Sequence, residues 1–469
     1  MSTNNIAENI RRVAYLLVIL LIALIVHVSY IQVIEGSFYA AHPLNRRSTE
    51  YAKSIQRGTI FDRNGQIIAV SEKTDDSGYK RVYPYGDILA HPVGYDSIKL
   101  GKTGIENTYN GYLAGINTPE RGLGAISRLL DGHHAYNLVL TIDSKLQSVA
   151  YKALGSHRGA IVVLDPRTGA ILAMVSKPSF DPNQIESLWD GISKSSASPL
   201  LNRATNGLYP PGSIIKPMFA EAALTEKIVN TDSKFNCTGS LRIGKDYTLT
   251  ESNHVAHGEL NLEQALTVSC NTTFGSLALK LGRNKVAATF DRYGFDKDLG
   301  QELQETASRL PSFSELGDGD LAQAGIGQGS LLVTPMRMAM LASTFANKGV
   351  LMQPYLVSKI TADDGSIIKN YAPVEWLKPA NVQMADQISK MMISVVNKGT
   401  GNQAYISGVQ VAGKTGTAEN PHGESHAWFI GFAPADAPRV AVAVIVENGG
   451  SGGGVAAPIA RQILLQALR

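Results

Sequence analysis

Tyr209-Pro210-Pro211-Gly212-Ser213-Ile214-Ile215-Lys216-Pro217-Met218-Phe219 is the stretch from which the rest of the chain is best read. Pro210, Pro211 and Gly212 block helix before Ser213, and Pro217 is tolerated only in a first helical turn, so a helix is predicted to begin at the serine. Residues three apart on a helix share a face, with Cβ atoms about 5–6 Å apart, so the Lys216 amine can reach the Ser213 hydroxyl. A desolvated or cation-crowded lysine can act as the base that makes a serine nucleophilic. The helix N-terminus adds N–H groups for a developing oxyanion.

The same tetrapeptide recurs as Ser366-Ile367-Ile368-Lys369. That copy follows Ala362-Asp363-Asp364-Gly365, a hairpin turn after Tyr355-Leu356-Val357, and is predicted to lie on a strand. There, residues i and i+3 point to opposite faces and the lysine cannot serve the serine. Downstream of Ser213 come Ser269-Cys270-Asn271 and Lys414-Thr415-Gly416-Thr417. Lys414 follows the alternating Val409-Gln410-Val411-Ala412, so this run is expected along a sheet edge, where it can hydrogen-bond an extended peptide and hold a terminal carboxylate. An earlier Lys102-Thr103-Gly104 has no serine partner and reads as a loop.

Working outward, Ile161–Leu164 and Ile171–Val175 flank the turn Asp165-Pro166-Arg167-Thr168-Gly169, after a helical pattern through Ile142, Leu146, Ala150 and Leu154. The far end reads strand, strand, helix: Ala427–Phe432, Val440–Val446, Ala456–Leu468. Strands at both ends with helical text between predict an α+β domain whose termini share one sheet. From Glu35 to Tyr136 the text is short, Gly-rich and strand-like, with a hairpin turn at Asp62-Arg63-Asn64-Gly65.

Val13 to Ile34 is an apolar run of about 22 residues, roughly 33 Å as a helix, enough to cross a bilayer. The A-x-A type site of a cleaved signal is not convincing after it. Arg11 and Arg12 precede it while Arg46, Arg47 and Lys53 follow, so charge barely decides orientation. A large C-terminal domain behind an N-terminal anchor favours a cytoplasmic N-terminus. The expected division is a cytoplasmic tail at 1–12, a transmembrane helix at 13–34, a pedestal at 35–137 and a catalytic domain at 138–469.

A chain of 469 residues with a net charge of +3 and no concentrated basic stripe makes nucleic acid an unpromising partner. Cys237 and Cys270 are the two cysteines and show no CxxC or Cys/His spacing, so no metal site or cofactor is expected. Outside the cell they either pair or remain two buried thiols. Pro421 and Gly423 break any helix around His422 and His426, which are read, like His133-His134, as loop residues rather than metal ligands. Glu302, Glu305 and Glu315 are read as solvated charges.

The ordered set Ser213-x-x-Lys216, Ser269-x-Asn271 and Lys414-Thr415-Gly416 resembles the penicillin-recognising serine enzymes. The wider text resembles a class B penicillin-binding protein of the elongation or division type. Arg57-Gly58-Thr59-Ile60-Phe61-Asp62-Arg63-Asn64-Gly65 resembles that family's pedestal motif. Gly325-Ile326-Gly327-Gln328-Gly329, Val333-Thr334-Pro335 and Ala427-Trp428-Phe429-Ile430-Gly431 resemble further family text.

The resemblance implies the penicillin-binding transpeptidase fold, an antiparallel sheet flanked by helices, preceded by a mostly β pedestal and one transmembrane helix. It implies a peptidoglycan D,D-transpeptidase, inhibited by β-lactams, in which Ser213 attacks the stem peptide. Ser269 would relay a proton, Asn271 would bind the substrate amide, and Lys414, Thr415 and Thr417 on the Lys-Thr-Gly strand would bind the carboxylate. Backbone N–H groups of Ser213 and Thr417 would form the oxyanion hole. The first proton goes either to Lys216 or through Ser269 and Lys414. A polymerase partner of the shape, elongation, division and sporulation (SEDS) family is implied, contacted through the span and pedestal. The segment from Glu35 to Tyr136 is too short and strand-rich for a glycosyltransferase domain. No Glu-x-x-Leu-Asn, the water-activating loop of class A β-lactamases, occurs between Asn271 and Lys414.

Overall fold

The computed structural model describes residues 3–33, 54–75, 78–115, 135–245, 247–421 and 423–469. Helix α1 spans Thr3–Val33. Its Glu8–Ile31 portion is long and apolar enough to cross a bilayer, and Leu16, Leu20 and Leu24 along it are all exposed.

The pedestal text folds into β1 (Ile60–Phe61), β2 (Ile67–Lys73) and β3 (Tyr79–Val82), with short helices at Ala90–Val93, Gly104–Thr108 and Asn110–Leu113. The predicted turn joins β1 to β2, with Gly65 at φ 80°. Asp62 closes that turn by accepting N–H bonds from Asn64 and Gln66. It also accepts the N–H and hydroxyl of Ser144. Arg57 is buried with its guanidinium on Glu106 at 2.6 Å. Strand β4 (Asn137–Leu140) pairs parallel with β1. Helix α2 (Ser144–Ala153) follows, capped by Asp143.

Strands β5 (Gly159–Leu164) and β6 (Ile171–Lys177) form the predicted hairpin. Helix α3 spans Lys216–Thr225. Strands β7 (Lys234–Cys237) and β8 (Gly258–Asn261) pair antiparallel. Helices α4 (Leu262–Thr267) and α5 (Asn271–Arg292) bracket the second motif, and α6 spans Pro335–Ala346. Strands β9 (Val357–Thr361) and β10 (Ile367–Asn370) join the pedestal sheet, whose order is β10-β9-β4-β1-β2-β3. One sheet thus carries strands from both sides of residue 138.

After α7 (Val382–Lys398) come β11 (Ala412–Ala418), β12 (His426–Ala433), β13 (Val440–Val446) and α8 (Ala457–Ala467). These strands complete an antiparallel sheet of order β11-β12-β13-β5-β6, so the two ends of the domain do share one sheet. It is covered on both faces. Val440, Val442, Val444 and Val446 pack with Leu146 and Ala150 of α2 and Ile459 and Ile463 of α8. Ala441, Ala443 and Ile445 point the other way, into the core holding Phe219 of α3, Phe274 of α5 and Met336 of α6. A strand buried on both faces must be apolar throughout, which is why Val440–Val446 shows no polar alternation. Among the described residues, β11 is the edge strand of this sheet, with no strand paired on its outer side.

Three readings are corrected. Glu302 and Glu305 are not solvated. Glu302 accepts the N–H groups of Leu356 and Val357, and burial pushes its carboxyl up to about 7. Glu305 is buried against Arg337 at 2.6 Å. His426 is not a loop residue but opens β12, its ring edge-on to Tyr209 and its Nδ1 accepting the Asn448 N–H. Lys102 sits in a two-residue strand rather than a plain loop, ion-paired with Asp96. His422, His133 and His134 lie outside the described residues.

Candidate active site

Ser213 lies in a single 3₁₀ turn, Gly212–Ile215, that runs directly into α3. The turn is pinned from two sides. Gly212 donates its N–H to the Gly327 carbonyl at 2.8 Å, and Trp428 Nε1 donates to the Pro210 carbonyl at 3.1 Å. Gly327 has φ 77°, and a Cβ on it would fall 2.1 Å from the Gly212 oxygen. Gly327 and the tryptophan of β12 therefore act on the serine turn, a role not assigned to them from the sequence.

Lys216 and Lys414 are fully buried, and both amines converge on Ser269. Lys216 Nζ donates to the Ser269 carbonyl at 2.7 Å, the Ser269 hydroxyl at 3.3 Å and Asn271 Oδ1 at 2.8 Å. Lys414 Nζ donates to the Ser269 hydroxyl at 2.9 Å and the Thr415 carbonyl at 2.9 Å. The expected contact from Lys216 to the Ser213 hydroxyl is absent, because three acceptors of the Ser269–Asn271 turn hold the amine; the Ser213 Oγ has no hydrogen-bond partner among the described residues. Burial brings the Lys216 amine down to about 8, against the opposing pull of Glu251 and Cys270. Burial, and then the like charge of Lys216, hold Lys414 well below the ordinary lysine range. The pair is therefore easier to deprotonate than surface lysines, and a proton can pass between amines across one hydroxyl.

Ser269 sits between α4 and α5 with φ 63°, a left-handed conformation rare for a residue with a side chain. Glu251 holds the turn that follows, accepting the N–H groups of Asn271 at 2.8 Å and Thr272 at 2.7 Å. Asn271 Nδ2 donates to the Thr250 carbonyl. Thr415 shares a 2.6 Å hydroxyl contact with Thr400. Gly416 brings β11 against the serine turn, since a Cβ there would sit 3.0 Å from Ile214 and 3.2 Å from the Pro211 carbonyl. Ser213, Ser269, Asn271, Thr415 and Thr417 all line one cleft of about 450 Å³. Glu251, Thr400 and Gln328 line it too and were missed from the sequence, where no spacing links them to the motifs.

The rival copies stand apart. Ser366 is exposed in the β9–β10 turn and does not line the cleft, and neither does Lys102. Asp165 closes its turn with Arg167, as a turn residue should. Cys237 and Cys270 are buried and unpaired. Beside the cleft, Cys237 Sγ, a Glu251 oxygen, a His257 ring nitrogen and Cys270 Sγ all lie within 4.8 Å of one another. This is a donor set able to hold a metal ion, assembled from positions whose spacing does not suggest one.

The penicillin binding protein transpeptidase domain model matches residues 159–465, and the penicillin binding protein A dimerisation domain model matches 57–135. This chain belongs to the penicillin-binding transpeptidase family. It is 34% identical to the peptidoglycan D,D-transpeptidase PbpA of Mycolicibacterium smegmatis, over 98% of this chain and 99% of the relative. Penicillin-binding protein A of M. tuberculosis, solved as a ceftriaxone acyl-enzyme complex, superposes with a TM-score of 0.84 at 32% identity, covering 90% of this chain and 100% of that one. The D,D-transpeptidase domain of an Eggerthella lenta protein gives 0.81 at 35% identity, covering 88% and 98%.

Proposed function

We propose that this chain cross-links peptidoglycan by acyl transfer through Ser213. The chain is a D,D-transpeptidase, as its full-length relative is named. The observation that carries the assignment to Ser213 is its place at the cleft with an unengaged hydroxyl, beside two buried lysines sharing Ser269. Ser213 Oγ attacks the carbonyl of the penultimate D-Ala, its proton passing to the Lys216–Ser269–Lys414 relay. The terminal D-Ala leaves with a proton from Ser269, and an amine of a second stem peptide takes the acyl group. Thr415, Thr417 and Lys414 hold the substrate carboxylate along the free edge of β11, beside Gly416. Asn271 meets the substrate amide, and the N–H groups of Ser213 and Thr417 receive the oxyanion.

Two carboxylates line the cleft. Both oxygens of Glu251 are committed to backbone N–H groups, and Glu419 is exposed. Neither carboxylate is therefore a buried base free to activate water, which favours an amine acceptor over carboxylate-assisted hydrolysis. The experiment is intact mass after incubation with penicillin. One adduct should map to the Ser213 peptide and persist for many minutes; turnover of several penicillins per second would replace this reading with a β-lactamase.

Residues 35–137 are read as the pedestal and 138–469 as the catalytic domain, supported by the two family matches. The apolar helix α1 anchors the chain in the membrane. We further infer a single pass with the N-terminus cytoplasmic and the catalytic domain outside, and a SEDS-type glycosyltransferase partner docking on α1 and the pedestal. The long exposed apolar surface of α1 supports a helix-lined partner.

A further inference from the structure

We propose that a second cavity, where the pedestal helices meet the catalytic domain, binds a small molecule carrying an ammonium group on an apolar body, with Glu302 as its counter-ion. The cavity shares no lining residue with the cleft, so the inference stands apart from the assignment of Ser213.

This cavity measures about 330 Å³, within the range of small-molecule sites. Pro92 and Tyr95 line it from the pedestal, and Phe180, Leu200, Leu303 and Leu356 from the catalytic domain. Such walls gain free energy by taking an apolar body out of water. They are also held in place. The Thr306 N–H donates to the Thr205 carbonyl at 3.0 Å and Asn206 Nδ2 to the Gln304 carbonyl at 2.8 Å, so the segment carrying Glu302 is laced to the short helix Arg203–Asn206.

Glu302 is the group that these walls leave incomplete. One of its oxygens accepts the N–H groups of Leu356 at 2.9 Å and Val357 at 2.6 Å, and the other takes no hydrogen bond among the described residues. Glu106, Glu221, Glu305 and Glu447 are also drawn into the interior, and each meets an arginine at 2.6–2.7 Å. Glu302 has no such cation among the described residues, and burial raises its carboxyl to about 7. A carboxylate withdrawn from water without a counter-ion is costly, and a ligand ammonium supplies that ion through a charge-assisted hydrogen bond. Phe180 and Tyr95, edge-on to each other at 6.0 Å, add aromatic rings that favour a cation. On the same wall, His91 Nε2 is buried without a hydrogen-bond partner. An apolar cavity with a few unmatched acceptors is the pattern of a ligand site, and its lone carboxylate repels anions.

The occupant would touch residues matched by both family models, since Pro92 and Tyr95 fall in the dimerisation match and Phe180 to Leu356 in the transpeptidase match. By mass action it would hold the two stretches together.

The test uses the full chain in detergent, with 4-(trifluoromethyl)benzylammonium as the probe and 4-(trifluoromethyl)benzyl alcohol as its neutral counterpart. Fluorine NMR titration should give saturable binding of the ammonium with a Kd below about 1 mM, and the alcohol should bind at least about tenfold more weakly. Prior acylation by penicillin should leave the ammonium Kd unchanged, because the cleft is a separate site. E302Q keeps an acceptor for the Leu356 and Val357 N–H groups but removes the charge; it should weaken the ammonium at least about tenfold while leaving the penicillin acylation rate as it was. Should E302Q fail to fold, L201W gives the same readout, since Leu201 is 37% exposed on the cavity wall and a tryptophan there fills the space without entering the core. Equal ammonium affinity in wild type and in the folded variants would overturn the proposal. So would loss of ammonium binding on acylation, which would place the probe in the cleft.

Discussion

Lys414 Nζ donates a 2.9 Å hydrogen bond to Ser269 Oγ, although the two residues lie 145 positions apart in the chain. That hydroxyl is also 3.3 Å from Lys216 Nζ, so two buried amines meet at one oxygen and cannot both comfortably carry charge.

The pH dependence of acylation follows from this arrangement. A lysine acts as base only when neutral, and burial brings Lys216 down to about 8. The second-order rate of penicillin acylation should therefore rise through about pH 7 to 9, well below the range of a free lysine near 10.4. Stopped-flow measurements across that window check it, and a flat profile would exclude a titrating amine as base.

S213A should abolish the penicillin adduct, whereas S366A should leave its amount and rate unchanged. Both serines begin Ser-Ile-Ile-Lys, but only Ser213 lines the cleft, and Ser366 is exposed in a hairpin turn. Peptide mapping distinguishes them; loss of labelling in S366A would contradict the helix-against-strand argument.

G327A should destabilise the protein by about 2 kcal/mol or more and slow acylation. A Cβ there would meet the Gly212 oxygen at 2.1 Å, at a φ of 77°, so the serine turn must shift. Thermal unfolding and acylation rates together test this. G65A, whose Cβ would meet nothing within 4 Å, should pay only the strain of its positive φ and leave acylation intact.

R337M should lower stability by about 3–5 kcal/mol, because it strands the Glu305 carboxylate in the interior. Glu305 faces Arg337 at 2.6 Å with both side chains almost fully buried, and Thr334 of the Val333-Thr334-Pro335 text also bonds it. Denaturant unfolding should show the loss, partly restored in R337M/E305L.

Several features were determined by local sequence alone. Prolines and glycine before Ser213 and Pro217 after it dictate where the chain can turn helical, since proline fixes φ and lacks a donor hydrogen. Runs such as Val440–Val446 and the turn at Asp62–Gly65 declare strand and hairpin through side-chain type and positive φ. Ser213 and Ser269 of the first two motifs and Thr415 of the third line one cleft, in the order in which the motifs follow one another along the chain.

What tertiary structure decided is which atoms meet. Local spacing places Lys216 on the face of Ser213, but the amine instead bonds the Ser269–Asn271 turn, brought there by the packing of α3 against α5. Glu302 and Glu305 look like surface charges because a carboxylate's burial depends on partners remote in sequence, here the Leu356 N–H and Arg337. Cys237, Glu251, His257 and Cys270 show no ligand spacing, since a strand end, a loop and a helix cap converge only when β7 and α5 are folded side by side. Periodicity and turn chemistry act over a few residues, whereas hydrogen bonds and donor clusters form between elements whose proximity is fixed by the shared hydrophobic core.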